Sequence, residues 1–424
     1  MRMKRLFLTA LSSAAVIILV TTAGRAAAPA CAADNGGLTL PPGFCAAVVA
    51  DAIGPARHLA VAPNGDLFVT TRNRGGQTGG IVALRDTDGD GKMDAREKFG
   101  DNGGTGIVLR NGYLYYSTTT SIARFKMNAG DLKPAGAPET IVEGLPDRRS
   151  HADKGIAFDG RGGVYVNVGA PSNACQQPDR QPKVAGQDPC PLLEQHGGIW
   201  RFDENKPGQK QADGRRYVTG MRQMIGLTWH DNALWAVMHN RDGLDTLWPG
   251  QFTPEQNAEW PAEYLVRATD GANFGWPYCF YSNAEKKLVT NPEYGGDGKT
   301  TDRCASFSSP VVAFPGHWAP NDVLFYTGTQ FPKQYQGGAF VAFHGSWNRA
   351  PLPMAGYNVT FVPFSGGKPG MREVFADGFT GKTPIMNPTE ATWRPGGLAV
   401  GPDGSLYITE DAKGRIWRVM YKGK

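Results

Sequence analysis

The stretch DKGIAFDGRGGVYVNVG, residues 153–169, has the pattern of a β-hairpin and decides the fold of the chain. Ile156, Phe158, Val164, Val166 and Val168 alternate with small or polar residues on either side of a glycine-rich turn. Alternation with a period of two indicates strands, and Asp-Gly favours the tight turn between them because both residues tolerate a positive φ angle. The sequence therefore predicts an antiparallel pair of strands here.

The same plan recurs along the chain. Clear copies are ARHLAVAPNGDLFVTTR (56–72), MIGLTWHDNALWAVMH (224–239) and PGGLAVGPDGSLYITED (395–411), and weaker ones are TGIVLRNGYLYYSTTTSIARF (105–125) and GGAFVAFHGSW (338–347). A hairpin repeated about every 50–80 residues, without long helical patterns, is typical of a β-propeller. We expect an all-β fold of six or seven four-stranded antiparallel blades. Ligands of propellers lie on the central axis, so the residues just before or after each hairpin are the candidates for a site.

The N-terminus predicts export. Basic residues at positions 2, 4 and 5 precede an apolar run at residues 6–20 and a stretch of small residues. This is the pattern of a secretory signal peptide, which we assign to residues 1–30, and the apolar run is too short for a membrane span. We expect residues 31–424 to form a single propeller domain, periplasmic or secreted, with no integral membrane span after cleavage.

The chain has six cysteines, all beyond the signal peptide, and an even number in an exported protein indicates disulfides. The three short-range pairings, Cys31–Cys45, Cys175–Cys190 and Cys279–Cys304, are our first expectation among the fifteen possible ones. No C-x-x-C-H sequence occurs, so no c-type haem is attached to this chain. The insertion at residues 171–196 holds one of the expected disulfides and is predicted to form a wall of a ligand pocket.

The charge of the chain argues against one class of partner. The formal net charge is +5 and the isoelectric point is near 8.8, with the basic residues scattered along the sequence. Proteins that bind nucleic acid usually carry a concentrated basic face. We therefore expect no nucleic-acid partner.

The segment DTDGDGKMDARE, residues 86–97, has the spacing of a calcium-binding EF-hand loop. The metal ligands would be Asp86, Asp88 and Asp90 at positions 1, 3 and 5, Lys92 at 7 through its carbonyl, Asp94 at 9 and Glu97 at 12. The alternative is a solvated acidic turn. Because a strand and not a helix precedes the loop, we expect calcium here to brace the structure and not to act as a signal.

Four arginines stand next to the repeated hairpins: Arg57, Arg222, Arg349 and Arg394. Gathered on one face of a propeller, they would form a cationic pocket for a ligand with several carboxylates or phosphates, because guanidinium groups bind such groups in a bidentate manner. The alternative is that these arginines are solvated or pair with nearby acids. His151 stands at the same point of its own repeat and is a candidate general base, since histidine titrates near neutral pH. The alternative for His151 is a histidine that caps a turn.

Several motifs together resemble those of the pyrroloquinoline quinone (PQQ)-dependent sugar dehydrogenases. They are RRSHADKGIAFDGRGGVYVNVG, GMRQMIGLTW, DGANFGWPYC, FVAFHGSWNR and TWRPGGLAVGPDGSLYITED, and they span nearly the whole mature chain. The pattern is most similar to the sorbosone and pyranose dehydrogenase branch and more distantly similar to soluble aldose dehydrogenase. The resemblance implies a six-bladed propeller that holds PQQ and one calcium ion on its axis.

The resemblance also implies roles for single residues. His151 would be the base and Arg222 the arginine beside the reactive quinone carbonyl, and the cofactor would also contact Arg394, Arg349, Arg57 and His344. The carbonyls of Asn240 and Arg241 would hold the axial calcium. The chain departs from the family at Gln223, where the family tends to have asparagine and which we count among the cofactor contacts. It also departs in MHNRDGLDTLW (238–248), which keeps His239 and Asn240 where this branch often has an acidic residue.

Residues and resemblance lead to one functional hypothesis. The chain would be an exported quinoprotein oxidoreductase, a sugar dehydrogenase of the sorbosone or glucose type, that oxidises an aldose or related sugar aldehyde by hydride transfer to PQQ. Electrons would then pass to an external acceptor, through a cytochrome or a quinone route. Trp347 and Trp393 would stack on a sugar ring or be buried. Two alternatives stay open: a calcium-dependent lactonase, and a non-enzymatic propeller that binds a glycan or a protein.

Overall fold

The repeated hairpins form the inner halves of propeller blades. A computed structural model describes residues 30–148 and 150–423. The predicted signal peptide therefore lies outside the described residues, apart from its last position. Within them, no helix is long and apolar enough to cross a membrane.

Six sheets form the blades. Five of them have four antiparallel strands, and one has a fifth, short strand at Ala272–Asn273 that runs parallel to its neighbour. Two further sheets have two strands each. In chain order the first thirteen strands are β1 (Phe44–Ala50), β2 (Ala56–Val61), β3 (Leu67–Thr71), β4 (Gly80–Arg85), β5 (Ala95–Phe99), β6 (Gly104–Arg110), β7 (Tyr113–Thr118), β8 (Ile122–Lys126), β9 (Glu139–Val142), β10 (Ile156–Phe158), β11 (Gly163–Val168), β12 (Gly198–Asp203) and β13 (Arg215–Thr219). The remaining strands are β14 (Gln223–His230), β15 (Ala233–His239), β16 (Glu263–Ala268), β17 (Ala272–Asn273), β18 (Cys279–Ser282), β19 (Lys287–Thr290), β20 (Val312–Phe314), β21 (Pro320–Phe325), β22 (Ala339–His344), β23 (Tyr357–Val362), β24 (Phe364–Ser365), β25 (Lys368–Pro369), β26 (Glu373–Ala376), β27 (Pro395–Val400), β28 (Leu406–Glu410) and β29 (Ile416–Tyr421).

The blades follow the chain. Blades 1 to 3 are β2–β5, β6–β9 and β10–β13, blade 4 is β14, β15, β16 and β20, and blade 5 is β21, β22, β23 and β26. Blade 6 takes its three inner strands from the C-terminus, and its outer strand is β1, which pairs antiparallel with β29. The N-terminal strand thus closes the ring. The expectation of a six-bladed all-β propeller is confirmed.

Glycines let four of the six innermost strands approach their neighbours closely around the axis. A Cβ atom added at Gly155 of the segment leading into β10 would overlap the carbonyl oxygen of Ile225, and one at Gly226 would lie 2.6 Å from Cα of Asp322. Gly106 and Gly397 are equally crowded by the neighbouring inner strands. These contacts explain why a glycine precedes the apolar residues of GIVL, GIAF, GLTW and GLAV.

The two other inner strands carry larger side chains at this level. His58 of β2 and Asp322 of β21 are both buried, and His58 Nε2 lies 3.8 Å from Asp322 Oδ1. The weak repeat GGAFVAFHGSW is not an inner hairpin, because β22 is the second strand of blade 5 and β21 is its inner strand. His344 accordingly ends a second strand, whereas Arg57 and Arg222 lie at the start of inner strands.

Two long insertions pack against each other on one face of the propeller. The loop at residues 171–196 is closed by Cys175–Cys190, and the region of β18 and β19 is closed by Cys279–Cys304. Trp276 joins the two, since its indole Nε1 donates to the Asn173 carbonyl at 2.8 Å. The short helices α1 (Leu244–Leu247) and α2 (Pro254–Glu259) lie between β15 and β16. With Cys31–Cys45, all three expected disulfides are confirmed.

Candidate active site

One cavity of about 410 Å³ is lined by residues from the ends of the inner hairpins. Within a hairpin, the start of the inner strand and the end of the second strand lie at the same end of the sheet. Side chains before or at the start of β2, β10, β14, β21 and β27 therefore meet side chains that follow β3, β15 and β22. The cavity is lined by Arg57, Arg72, His151, Asp153, Arg180, Arg222, Gln223, His239, Asn240, Asp242, Glu263, His317, Asn321, His344, Trp347, Asn348 and Arg394, among others.

One wall of the cavity is a cluster of charges centred on Asp411, which is 1% exposed. Its carboxylate accepts hydrogen bonds from Arg72 at 2.7 Å, His344 at 2.7 Å and Arg57 at 3.4 Å. Although burial raises it, the pKa of Asp411 is held far below its usual range by the contact with His344 and by the two arginines. Asp411 therefore stays ionised and keeps the guanidinium groups in place.

The opposite wall is centred on Asp242. Its carboxylate accepts from Arg222 at 2.6 Å, from Arg180 at 2.7 Å and from the Asn348 amide at 2.7 Å. Arg222 is 2% exposed and also donates to the Asn240 carbonyl at 2.6 Å, while its buried Nε has no partner. Burial raises the pKa of Asp242, but Arg222, His317 and Arg180 overcome this and hold that pKa well below the usual range.

Arg394 has no carboxylate within ion-pair distance among the described residues. Its guanidinium donates to the carbonyls of His344 at 3.1 Å and Gly345 at 3.0 Å. These carbonyls fix its direction but do not neutralise its charge. Arg394 is therefore a cation of the cavity that is free to pair with an anionic ligand.

His151 lies at the start of the segment that leads into β10, with a left-handed φ of 56°. Its Nδ1 contacts the Ala170 carbonyl, and because a carbonyl can only accept, Nδ1 carries the proton and Nε2 keeps its lone pair. Burial, and next the charge of Arg222, lower the pKa of His151 to about 3. The imidazole is thus neutral at physiological pH, with Nε2 available to accept a proton.

Two further histidines of the cavity are neutral at physiological pH, and one further acid is only partly ionised there. Burial lowers the pKa values of His239 and His344 to about 4 each, and burial raises the pKa of Glu263 to about 7. Five arginines line the cavity together with the ionised Asp153 and Asp242 and the partly ionised Glu263, and Asp411 adds a negative charge from behind the lining. The cavity therefore has an excess of positive charge, which favours an anionic ligand.

Several predicted residues lie elsewhere. Arg349 is buried and donates to the carbonyls of Ala258 at 2.7 Å and Gly316 at 3.1 Å, and it pairs with Glu259. Because these contacts occupy its guanidinium outside the cavity, the geometry gives no support to Arg349 as a cofactor contact. Trp393 packs edge-on against Trp417, away from the cavity, whereas Trp347 lies at the cavity and is 58% exposed.

Of the two carbonyls predicted to hold an axial calcium ion, that of Asn240 is already engaged, and that of Arg241 belongs to a residue outside the cavity lining. The Asn240 carbonyl accepts from Arg222, which places a positive charge where the ion would have to bind. The side chain of Arg241 is fully buried in an ion pair with Glu293 at 2.6 Å, and the residue does not line the cavity. The geometry therefore does not support a calcium ion held by these two carbonyls.

The predicted calcium loop lies outside this cavity, beyond the end of β4. Carboxylate oxygens of Asp86, Asp88 and Asp90 lie within 4.8 Å of one another, which fits a shared cation. Asp94 instead accepts from Thr87, and Glu97 pairs with Lys133 at 3.1 Å. Lys92 donates its N–H to Asp90. The structure therefore brings together the first three of the predicted ligands and not the last two.

Sequence reasoning missed the acids and two of the arginines. Arg72 and Asp411 directly follow the second strands of the first and last clear repeats, in LFVTTR and LYITED. Asn240, which was already a candidate, directly follows the second strand of another repeat. The same position in the other repeats is therefore a signal that could have identified Arg72 and Asp411. Nothing in the sequence indicates that Arg180 reaches the cavity from the inserted loop.

The fold and the cavity define a six-bladed propeller with an axial cationic site beside a neutral histidine. The chain belongs to the TrAA12-like family, whose model matches residues 38–422. It is 26% identical over 238 residues to a PQQ-dependent pyranose dehydrogenase of Coprinopsis cinerea, covering 48% of this chain and 31% of that protein. The chain spans about half or less of the length of the curated relatives it matches.

Solved structures share the fold. A calcium structure of a Trichoderma reesei family AA12 enzyme matches 91% of this chain and 97% of its own, with a TM-score of 0.72 and 17% identity. The holo PQQ domain of the Coprinopsis cinerea pyranose dehydrogenase matches 90% of this chain and 97% of its own, with a TM-score of 0.70 and 19% identity. The resemblance to PQQ-dependent sugar dehydrogenases is confirmed.

Proposed function

We propose that this protein is an exported oxidoreductase that oxidises an aldose or related sugar aldehyde with PQQ as its cofactor. The observation that carries the proposal is the meeting of an excess of arginines with a neutral histidine, His151, in one cavity. Relatives named as PQQ-dependent and as family AA12 enzymes support the same chemistry.

The residues present fit a ligand with several carboxylates. Arg394 lacks a carboxylate partner, and the buried Nε atoms of Arg57 and Arg222 have none of any kind. Gln223 is 2% exposed and its Oε1 is unpartnered, so a donor group on a ligand would satisfy it. The volume of about 410 Å³ falls within the range of small-molecule sites. We assign cofactor binding to Arg57, Arg222, Gln223, His344 and Arg394.

His151 would act as the general base. Nε2 would accept the proton of the anomeric hydroxyl, or of a hydrated aldehyde, as hydride leaves the sugar carbon. When bound, PQQ would supply a quinone that takes up that hydride with its two electrons. The positive charge of Arg222 helps to lower the pKa of His151, and the negative charge of a bound ligand would offset it. We therefore expect the pKa of His151 to rise from about 3 when the cavity is filled.

Arg222 would stabilise the negative charge that develops on the quinone oxygen when the quinone takes up the hydride. Asp242 and Asn240 hold two of its nitrogens, so the guanidinium needs little rearrangement during the reaction. Donors fixed in advance at a buried site contribute more than mobile ones, and one such donor is commonly worth about 100-fold or more in rate.

Calcium at Asp86, Asp88 and Asp90 is the second part of the proposal. The three carboxylates share a point that an ion could occupy, and Gly91 gives the loop its turn with a φ of 88°. We expect calcium to raise the thermal midpoint Tm of the apo-protein, and Asp88→Asn to remove that rise. An unchanged Tm on adding calcium would argue for a solvated acidic turn.

Export and an external electron acceptor complete the proposal. Three disulfides support an oxidising compartment.

The lactonase alternative needs side-chain carboxylates gathered around an axial ion. Among the described residues the acids close enough for that are Asp86, Asp88 and Asp90, which lie away from the axial cavity.

The proposal is tested by titrating apo-protein with PQQ in the presence of calcium and following the absorption of the bound quinone. Aldoses should then bleach that absorption. His151→Ala should bind PQQ normally and reduce it at least about 100 times more slowly. His230→Ala is the matched control, since His230 stacks on Phe325 away from the cavity. Absence of PQQ binding by the wild type would favour the non-enzymatic propeller.

A further inference from the structure

Lys154 is the one lysine among the described residues that is buried, with 1% of its surface exposed. Burial of an ammonium group is costly unless its hydrogen bonds are met, so such a group needs a structural reason. Burial lowers the pKa of Lys154 to about 8, against the opposing effects of Asp153 and Asp147. Lys154 follows the candidate base, His151, by three positions and does not line the cavity.

The ammonium group binds the chain on either side of His151. Nζ donates to the Ala152 carbonyl at 2.6 Å and to the Pro146 carbonyl at 3.3 Å. One cation thus contacts two carbonyls that flank His151 along the chain, one directly after it and one five residues before it. His151 has a positive φ, which costs a residue other than glycine about 1 kcal/mol or more and persists only where the surroundings impose it.

The backbone of Lys154 is fixed to the neighbouring blade. Its carbonyl accepts from the Gly106 N–H at 3.0 Å and from the Ser117 hydroxyl at 2.5 Å. The next residue back, Asp153, is held at both ends, because its carboxylate accepts from Thr105 at 2.9 Å and its carbonyl from Asn167 at 2.8 Å. The ammonium group therefore extends from this anchored backbone to the carbonyls of Ala152 and Pro146.

We propose that Lys154 is a positioning residue that holds the His151 segment so that Nδ1 meets the Ala170 carbonyl and Nε2 stays free for the substrate. The proposal rests on the assignment of His151 as base. Without the two carbonyl contacts, the imidazole can leave Ala170 and change tautomer, while the arginines that bind the cofactor stay in place. Misplacement of a catalytic group by about 1 Å can cost on the order of 100-fold in rate.

The test compares Lys154→Met with wild type and with Val164→Ala. Val164 is fully buried in the same hairpin and lies outside the cavity, so its truncation reports a general loss of stability. Nitrogen-15 NMR of the histidine side chains in apo-protein measures the tautomer directly. We expect one fixed Nδ1–H form of His151 in wild type and in Val164→Ala, and a mixture in Lys154→Met.

With PQQ bound, Lys154→Met should lower kcat by about 10- to 100-fold and leave the Kd for PQQ within about twofold. A wild-type tautomer and kcat in Lys154→Met would overturn the proposal, as would losses equal to those of Val164→Ala. Should Lys154→Met not fold, Lys154→Gln, which can still donate to one carbonyl, replaces it with the same expected direction. If the wild type binds no PQQ, the proposed function fails, but the tautomer experiment still decides the role of Lys154.

Discussion

Replacing Asp242 by asparagine should destabilise the protein and weaken catalysis without weakening the binding of an anionic cofactor. Asp242 accepts from Arg222, Arg180 and Asn348, and its pKa is held well below the usual range, so it is charged in the folded state. The substitution keeps the shape and removes the charge. It also turns an amide donor towards groups that are themselves donors.

The size of the effect follows from burial. The side chains of Arg222 and Asp242 are 3% and 11% exposed, so solvent screens their ion pair little. Removing one partner of a buried pair costs about 3–5 kcal/mol of the free energy of unfolding. For a polyanionic ligand, loss of one nearby negative charge is worth roughly 1 kcal/mol, a tightening of about fivefold. Loss of the fixed direction of Arg222 should lower kcat by about 10- to 100-fold.

Three measurements check this reasoning: denaturant unfolding of the apo-protein, a PQQ titration, and kcat with a saturating aldose. Asp403→Asn is the matched control, because Asp403 pairs with Arg418 at 2.8 Å outside the axial cavity and should change neither Kd nor kcat. Asp242→Asn with unchanged stability would show that the ion pair contributes nothing. If Asp242→Asn raised the Kd for PQQ more than about tenfold, the expectation that loss of this negative charge tightens cofactor binding would be refuted.

Three further predictions concern the axis, the pH dependence and the cavity mouth. Gly155→Ala should strongly lower Tm, because the new Cβ would overlap the Ile225 carbonyl oxygen, whereas Gly136→Ala, with open space at its Cβ position, should not. Because burial raises the pKa of Glu263 to about 7 in the folded state, the folded protein binds the extra proton and loses stability as pH rises from about 4.5 to 7. Glu263→Gln should therefore raise the free energy of unfolding at pH 8 by about 3 kcal/mol and leave it unchanged near pH 4, measured by denaturant unfolding. Trp347→Ala should raise KM for aldoses several-fold at unchanged Tm, since the ring is 58% exposed at the cavity; an unchanged KM would remove it from the substrate site.

The fold could be predicted because its signal is local and repeated. The glycine and the apolar residues after it recur in the inner strands of four blades, in GIVL, GIAF, GLTW and GLAV, so each copy is independent evidence for the same hairpin. Closure of blade 6 by β1 could not be read in this way, because FCAAVVA pairs with β29 at the other end of the chain. The misassigned GGAFVAFHGSW shows the limit of the method, since second strands resemble inner ones when the turn sequence is weak.

Placement of a residue at the cavity could be predicted where the position along the backbone decides it. Arg57, Arg222 and Arg394 stand at starts of inner strands, and the geometry of the hairpin directs these positions to the cavity. Arg349 belongs to a loop after β22, and its direction depends on which carbonyls of the α2 region lie nearby, which only the tertiary structure reveals. Arg180 reaches the cavity for a similar reason, through packing of an insertion that has no counterpart in the repeat.

The unpaired polar atoms explain why the cavity should take a ligand. Arg57, Arg222 and Gln223 each keep a buried polar atom without a partner, and such an atom costs about 1–3 kcal/mol when it stays unsatisfied. An anion that met these groups would recover that cost on binding the folded chain and not the unfolded one, so it should raise the Tm of the apo-protein. The cavity cations converge from separate blades. A molecule with several carboxylates on one rigid frame should therefore raise the Tm of the apo-protein more than the same number of separate acetate ions.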